Sequence, residues 1–224
     1  MSLNDREKRN ILTMVDHTIL RPAARWEDVR TICDEAVRWG CASVCIPPSF
    51  VSRARSYISE KLAVCTVIGF PNGYATSAAK VFETTEAIKN GADEIDVVIN
   101  VGDVKDGRDD EIAYELIRLR EVSDGRIMKV IIECCLLNDD EKLRLCRLVS
   151  EAGADFIKTS TGFSTGGATV EDVRLLHDHV KPGVLVKAAG GISTFEEASA
   201  MISAGASRIG ASRLVRLMEV GNVV

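Results

Sequence analysis

Short apolar runs alternate with amphipathic stretches along the whole chain. Runs at 14–18, 42–46, 63–69, 94–100, 127–133, 154–160, 184–188 and 207–210 have the length and β-branched content of buried strands. The stretches between them carry helical stripes. Val29, Ile32, Cys33 and Ala36 follow the i, i+3, i+4, i+7 rule, as do Leu145, Leu148, Val149 and Ala152. Ile112, Leu116 and Leu119 form a thinner stripe, and Val173, Leu176 and Val180 another. Asn138 precedes Asp139, Asp140 and Glu141, and Thr194 precedes Glu196 and Glu197, so both are placed to cap helix starts. Gly40, Gly91, Gly153 and Gly205 each close a helical stretch ahead of a strand. A Gly-Ala step recurs at 91–92, 153–154 and 205–206, a repeated joint rather than a linker. Eight strand–helix units predict an α/β fold, a (β/α)8 TIM barrel, as a single domain over residues 1–224. An open doubly wound sheet is the alternative. No Gly-x-Gly-x-x-Gly follows the first run, which disfavours dinucleotide binding.

Composition narrows the function classes. The chain has 224 residues, 46% hydrophobic and 27% charged, as an ordinary globular protein has. With 28 Lys and Arg against 33 Asp and Glu, the net charge of −5 gives no footprint for non-specific binding to nucleic acid or anionic membrane. A local basic pocket remains compatible with that balance. The polar start MSLNDREKRN predicts no secretory signal, and no stretch approaches the roughly 18 apolar residues of a membrane span. Seven cysteines, mostly inside apolar runs and without paired Cys-x-x-Cys motifs, predict neither disulfides nor zinc. His17, His177 and His179 have no metal-site spacing. A cytoplasmic location is expected.

The strands themselves carry charge, which a purely structural parallel barrel avoids. If the β-branched residues face outward, alternation sends Asp16, Asp96, Lys129, Glu133, Lys158 and Lys187 into the barrel. Three acids would then meet three lysines. Buried charges persist only when paired, and a structural ion network is the competing explanation. Active sites of barrels lie at the carboxyl ends of the strands, which favours function for the group. Lys158 and Lys187 end consecutive runs. Proximity of like charge and burial both favour a neutral amine, which attacks a carbonyl to give a Schiff base. Asp96 is placed to relay protons.

Small residues follow the last three runs, at 159–167, 188–193 and 210–212. Their backbone N–H groups are candidates for cradling a phosphate, which in barrels sits after strands seven and eight. Cys45 ends the second run and is expected to be a buried hydrophobe rather than a nucleophile, and Cys134 and Cys135 are expected to serve packing.

These residues fall in a recognisable pattern. The chain resembles the deoxyribose-phosphate aldolases, a class I, Schiff-base-forming family. The resemblance is carried by Asp16-His-Thr18, Ser43-Val-Cys-Ile-Pro47, Val64-Cys-Thr-Val-Ile-Gly-Phe-Pro71, Glu94-Ile-Asp-Val-Val-Ile-Asn-Val-Gly102, Val130-Ile-Ile-Glu133, Ala152-Gly-Ala-Asp-Phe-Ile-Lys-Thr-Ser-Thr-Gly-Phe163, Val186-Lys-Ala-Ala-Gly-Gly191 and Arg208-Ile-Gly-Ala-Ser212. It implies a barrel fold and reversible cleavage of 2-deoxy-D-ribose 5-phosphate to D-glyceraldehyde 3-phosphate and acetaldehyde. It makes Lys158 the Schiff-base lysine, Lys187 its partner and Asp96 the acid/base group. It puts Gly162, Phe163, Gly190, Gly191 and Ser212 at the phosphate, and has Asp16 and Thr18 line the site. It implies no metal, no organic cofactor and a homo-oligomer, with a dimer expected. Two departures stand out. Arg213 follows Ser212 where a small residue is common, and it is expected to face solvent. The chain ends Gly221-Asn-Val-Val224 without the terminal tyrosine that some members use as a proton shuttle. Another barrel aldolase acting on a phosphorylated ketose, or an idle phosphate-metabolite binder, are the competing functions.

Overall fold

The computed structural model of the chain describes residues 3–221, so the carboxyl-terminal 222–224 lie outside the described residues. Eight parallel strands close into a barrel in sequence order. They are β1 (Val15–Thr18), β2 (Ser43–Ile46), β3 (Ala63–Ile68), β4 (Glu94–Val98), β5 (Ile127–Ile131), β6 (Phe156–Lys158), β7 (Leu185–Ala189) and β8 (Ala206–Ala211). Each falls within or overlaps one of the eight predicted runs, and the open-sheet alternative is set aside because β8 pairs with β1.

The helices pack around this barrel, and the predicted stripes are their inner faces. In the helix Trp26–Trp39, Val29, Ile32, Cys33 and Ala36 are buried, and Gly40 ends it in the left-handed conformation, at φ 65°. Asn138 and Thr194 each accept from the backbone N–H three residues on, in reciprocal capping boxes with Glu141 and Glu197. A helix ahead of the first strand–helix unit is not marked by the hydrophobic pattern. Asp5–Leu12 precedes β1, is capped by Asn4 with Glu7, and buries only Ile11 and Leu12. Its stripe is too short to stand out from a polar segment. No helix among the described residues is long and apolar enough to cross a membrane.

Outside the barrel, Lys80 is completely buried. Its Nζ donates to Val98 O at 2.8 Å and pairs with Glu115 Oε1 at 2.6 Å, tying the helix Ser77–Lys89 to the carboxyl end of β4. The same strand carries Asp96 at its middle.

Candidate active site

Alternation along the strands fills the barrel interior with charge, and the set differs from the predicted one. Asp16, Asp96, Lys129, Lys158 and Lys187 are all buried. Glu133 is not among the interior groups. β5 ends at Ile131, and Glu133 adopts φ 55°, ψ 63°, which breaks the alternation and turns its side chain to the neighbouring loop. Two unpredicted residues join the interior: Glu94, and Arg208, which pairs with Asp16 and Glu94. The signal for Glu94 was present, because it flanks Ile95 just as Asp96 does. Arg208 flanks outward-facing Ile209 in the same way, but β8 also skips a residue against β7, pairing Ala206 with Val186 and Arg208 with Lys187. Such a bulge resets which face a side chain takes.

Asp96 is the hub. Its Oδ2 accepts from Lys158 Nζ at 2.7 Å and from Lys187 Nζ at 2.6 Å, and its Oδ1 accepts from Lys129 Nζ at 2.9 Å. Lys158 and Lys187 are direct register partners on adjacent strands, so the two amines converge on one oxygen. Lys187 also lies 2.5 Å from Asp16 Oδ2, and Lys129 lies 2.6 Å from Glu94 Oε2. Gly210 gives Lys187 its room, since a Cβ there would come within 2.9 Å of Ala189 Cβ and 3.4 Å of Lys187 Cε.

These contacts set the protonation of the network. Burial works to raise Asp96, but Lys129, Lys158 and Lys187 outweigh it and hold the carboxyl well below its ordinary range. Asp16 is likewise lowered, against burial, by Lys187, Lys129 and Arg208. Burial works to lower Lys187, but Asp16 and Asp96 hold its ammonium above the ordinary lysine value, and Lys129 is raised in the same way. The sign for stability follows. Groups with lowered folded pKa values contribute fully above the ordinary carboxylate value of 3.8 and lose that contribution as pH falls. Groups with raised values contribute fully below 10.5 and lose it as pH rises further. Melting temperature measured by circular dichroism is therefore expected to hold on a plateau between about pH 5 and about pH 10 and to fall on both sides. A steep loss between pH 6 and 8 contradicts this network.

A cavity of about 380 Å³ opens above the network, at the carboxyl ends of β6, β7, β8 and β1. Lys158 is the one member of the network on its wall. Asp16 does not reach the cavity, contrary to expectation. It sits beneath, where Ser43 Oγ and Arg208 donate to its Oδ1 at 2.7 Å each. Thr18, Gly162, Phe163, Gly190, Gly191 and Ser212 do line the cavity. Two of the small-residue stretches begin inside strands, since Ala188 and Ala189 belong to β7 and Gly210 and Ala211 to β8. The loops after them are packed backbone against backbone. A Cβ on Gly167 would come within 2.3 Å of Gly190 O, and one on Gly190 within 3.1 Å of Gly167 Cα. The backbone N–H groups of Gly162, Gly190, Gly191 and Ser212 have no acceptor among the described residues. Phe163 differs: its N–H donates to Thr161 Oγ1 at 3.1 Å, and its ring stands edge-on to Phe70, with centroids 5.2 Å apart. Arg21, Arg213 and Arg216 complete the wall. Arg213 is exposed, as expected, but it faces solvent at the cavity mouth and has no ion-pair partner among the described residues.

Two groups bring three potential metal ligands together among the described residues, Cys45 with Cys65 and Asp96, and Asp16 with Cys65 and Glu94. Lys129 Nζ already occupies the second group, 2.6 Å from Glu94 and 3.4 Å from Cys65 Sγ, and it abuts the first through Asp96 and Cys65. A cation there meets an ammonium in its place.

Comparison with known proteins follows the same lines. A chain named deoxyribose-phosphate aldolase from Streptococcus pyogenes serotype M4 is 53% identical over 213 residues, covering 95% of this chain and 96% of that one. One of the same name from Clostridioides difficile is 49% identical over 211 residues, covering 94% and 96%. The solved tetrameric deoxyribose phosphate aldolase of Aeropyrum pernix superposes with a TM-score of 0.89 at 32% identity, covering 97% of this chain and 93% of that one. The family model described as DeoC/LacD family aldolase matches residues 10–223, and the chain, with its closed barrel and inward lysines, belongs to that aldolase family.

Proposed function

We propose that the protein is a class I aldolase that reversibly cleaves 2-deoxy-D-ribose 5-phosphate to D-glyceraldehyde 3-phosphate and acetaldehyde. The observation that carries this reading is the convergence of Lys158 and Lys187 on Asp96 Oδ2 beneath a cavity that only Lys158 enters. The interior holds four cations, Lys129, Lys158, Lys187 and Arg208, against three carboxylates, Asp16, Glu94 and Asp96.

The neutral Lys158 amine attacks the C1 aldehyde of the open-chain sugar and loses water to form an iminium. The C3 hydroxyl gives up its proton, the C2–C3 bond breaks, and the electron pair moves onto the iminium as an enamine. Glyceraldehyde 3-phosphate departs. Protonation at C2 and hydrolysis release acetaldehyde and return the amine. We assign Asp96 to proton transfer around Lys158. Its Oδ2 lies 2.7 Å from Lys158 Nζ, within reach of the protons that the reacting nitrogen exchanges. Lys187, kept protonated by Asp16 and Asp96, supplies the positive field beside the reacting nitrogen. Asp16 acts from beneath by holding Lys187 and Arg208 rather than by touching substrate.

The free N–H groups of Gly162, Gly190, Gly191 and Ser212 are assigned to the phosphate, with the start of the helix Leu214–Gly221 behind Ser212. Thr18 and the Phe163 ring border the sugar. Arg213 adds charge at the mouth. Because Arg213 is exposed, its effect is modest: Arg213→Ala is expected to lower kcat/KM on the phosphorylated sugar about five- to tenfold. Steady-state kinetics on unphosphorylated 2-deoxyribose should show no change, and an equal loss on both substrates removes Arg213 from the phosphate site.

Borohydride reduction with acetaldehyde, followed by peptide mass mapping, tests the reaction. An adduct on Lys158 supports it, and no trapped adduct in an active enzyme rejects the iminium. We further propose a cytoplasmic homo-oligomer, with light scattering in solution as its check.

A further inference from the structure

Glu133 is buried, has no ion-pair partner among the described residues, and is the one ionisable residue of the predicted interior set that left the barrel. Its surroundings form a clamp. Ile132 N–H donates to Lys158 O at 3.0 Å and Cys134 N–H to Thr159 O at 2.8 Å, so the backbone beyond β5 follows the backbone at the end of β6. Between those two contacts, Glu133 takes a left-handed conformation that is unfavourable for a residue bearing a Cβ. That turn delivers its side chain to Thr161. Glu133 Oε1 and Oε2 accept from Thr161 N–H at 3.2 and 3.4 Å, and Oε2 accepts from the Thr161 hydroxyl at 2.5 Å. The same hydroxyl oxygen then accepts from Phe163 N–H at 3.1 Å. Two of the three N–H groups in Thr161-Gly162-Phe163 are thus held internally. The third, on Gly162 at φ 83°, is left for a ligand in the cavity.

We propose that Glu133 is a positioning residue for the phosphate end of the substrate. Acting through Thr161, it fixes the Gly162 peptide and so sets the preference for a phosphorylated over an unphosphorylated sugar, without touching either. This rests on the aldolase reading above. Glu133→Gln keeps the size and one acceptor oxygen but turns an NH2 group towards a donor, so at least one of the bonds from Thr161 is lost. Thr161→Val removes the hydroxyl and keeps the backbone N–H.

The test measures kcat and KM on 2-deoxyribose 5-phosphate and on 2-deoxyribose, with inorganic phosphate titrated by calorimetry. Glu133→Gln is expected to raise KM for the phosphorylated sugar about tenfold, to leave kcat within twofold, and to leave the unphosphorylated sugar unaffected. Thr161→Val should behave alike, and the double variant should be no worse than Thr161→Val alone, as expected of residues acting through one contact. Equal losses on both sugars, or an unchanged KM, overturn the proposal. If Glu133→Gln does not fold, Thr161→Ser against Thr161→Val decides: phosphate selectivity kept by serine and lost by valine supports the clamp, and equal selectivity overturns it. The phosphate titration separates this proposal from the aldolase reading. Wild-type protein that binds phosphate but does not cleave the sugar rejects only the latter. Affinity for phosphate unchanged in Glu133→Gln rejects only the clamp.

Discussion

Lys158→Ala is expected to lose about 10⁴-fold or more in kcat for cleavage of 2-deoxyribose 5-phosphate, because it removes the amine that becomes the iminium rather than a group that assists it. Its structural cost should be small. Lys158 makes one ion pair, to Asp96, and Asp96 keeps Lys129 at 2.9 Å and Lys187 at 2.6 Å after the change. The remaining interior groups are then three cations and three carboxylates. We expect a stability change within about 1 kcal/mol, a native circular dichroism spectrum and no acetaldehyde adduct after borohydride. An inactive variant that still traps one equivalent on another lysine transfers the chemistry to that residue. Undiminished turnover ends the Schiff-base reading at Lys158.

Asp96→Asn is expected to fail in the opposite way, losing stability as well as activity. Asparagine preserves the shape but leaves Lys158, Lys187 and Lys129 facing one another without the carboxylate that joins them. Breaking a buried ion pair by removing one partner costs about 3–5 kcal/mol, which for a chain of this size is about 6–20 °C in Tm. The rate should also fall about 10²–10⁴-fold, the usual contribution of a positioned proton-transfer group. Thermal unfolding and kinetics on the same preparation measure both. An Asn variant as stable as wild type shows that Asp96 is not the hub of the ion network. One that is destabilised yet fully active shows that its role is structural only.

The contrast between these two lysine-facing changes shows why charge inside strands was informative. A parallel strand buried on both faces has no structural use for Asp96, Lys158 or Lys187, and their alternation with Ile95, Ile157 and Val186 was legible without a fold. Eight such runs separated by helical stripes were enough for a barrel. The helix caps at Asn138 and Thr194 followed from one residue and its neighbour three positions on. The helix Asp5–Leu12 was not legible, because its two buried residues leave too little periodic signal.

What the chain alone determined is therefore local and periodic: which residues alternate, which segments are strands, and that an amine and a carboxylate share one face of the sheet. Tertiary structure decided everything that depends on register or on a break in periodicity. Lys158 stands beside Lys187 because β6 and β7 pair at those residues. Arg208 turns inward past a skipped residue in β8, and Glu133 turns outward where the backbone enters the left-handed region. Only the closed barrel brings Asp96 of β4 to lysines 62 and 91 residues further along. The physical reason is that side-chain direction within a strand has a period of two and can be read from neighbours, whereas the pairing of strands and the conformation of the residue after a strand are settled by contacts distant in sequence.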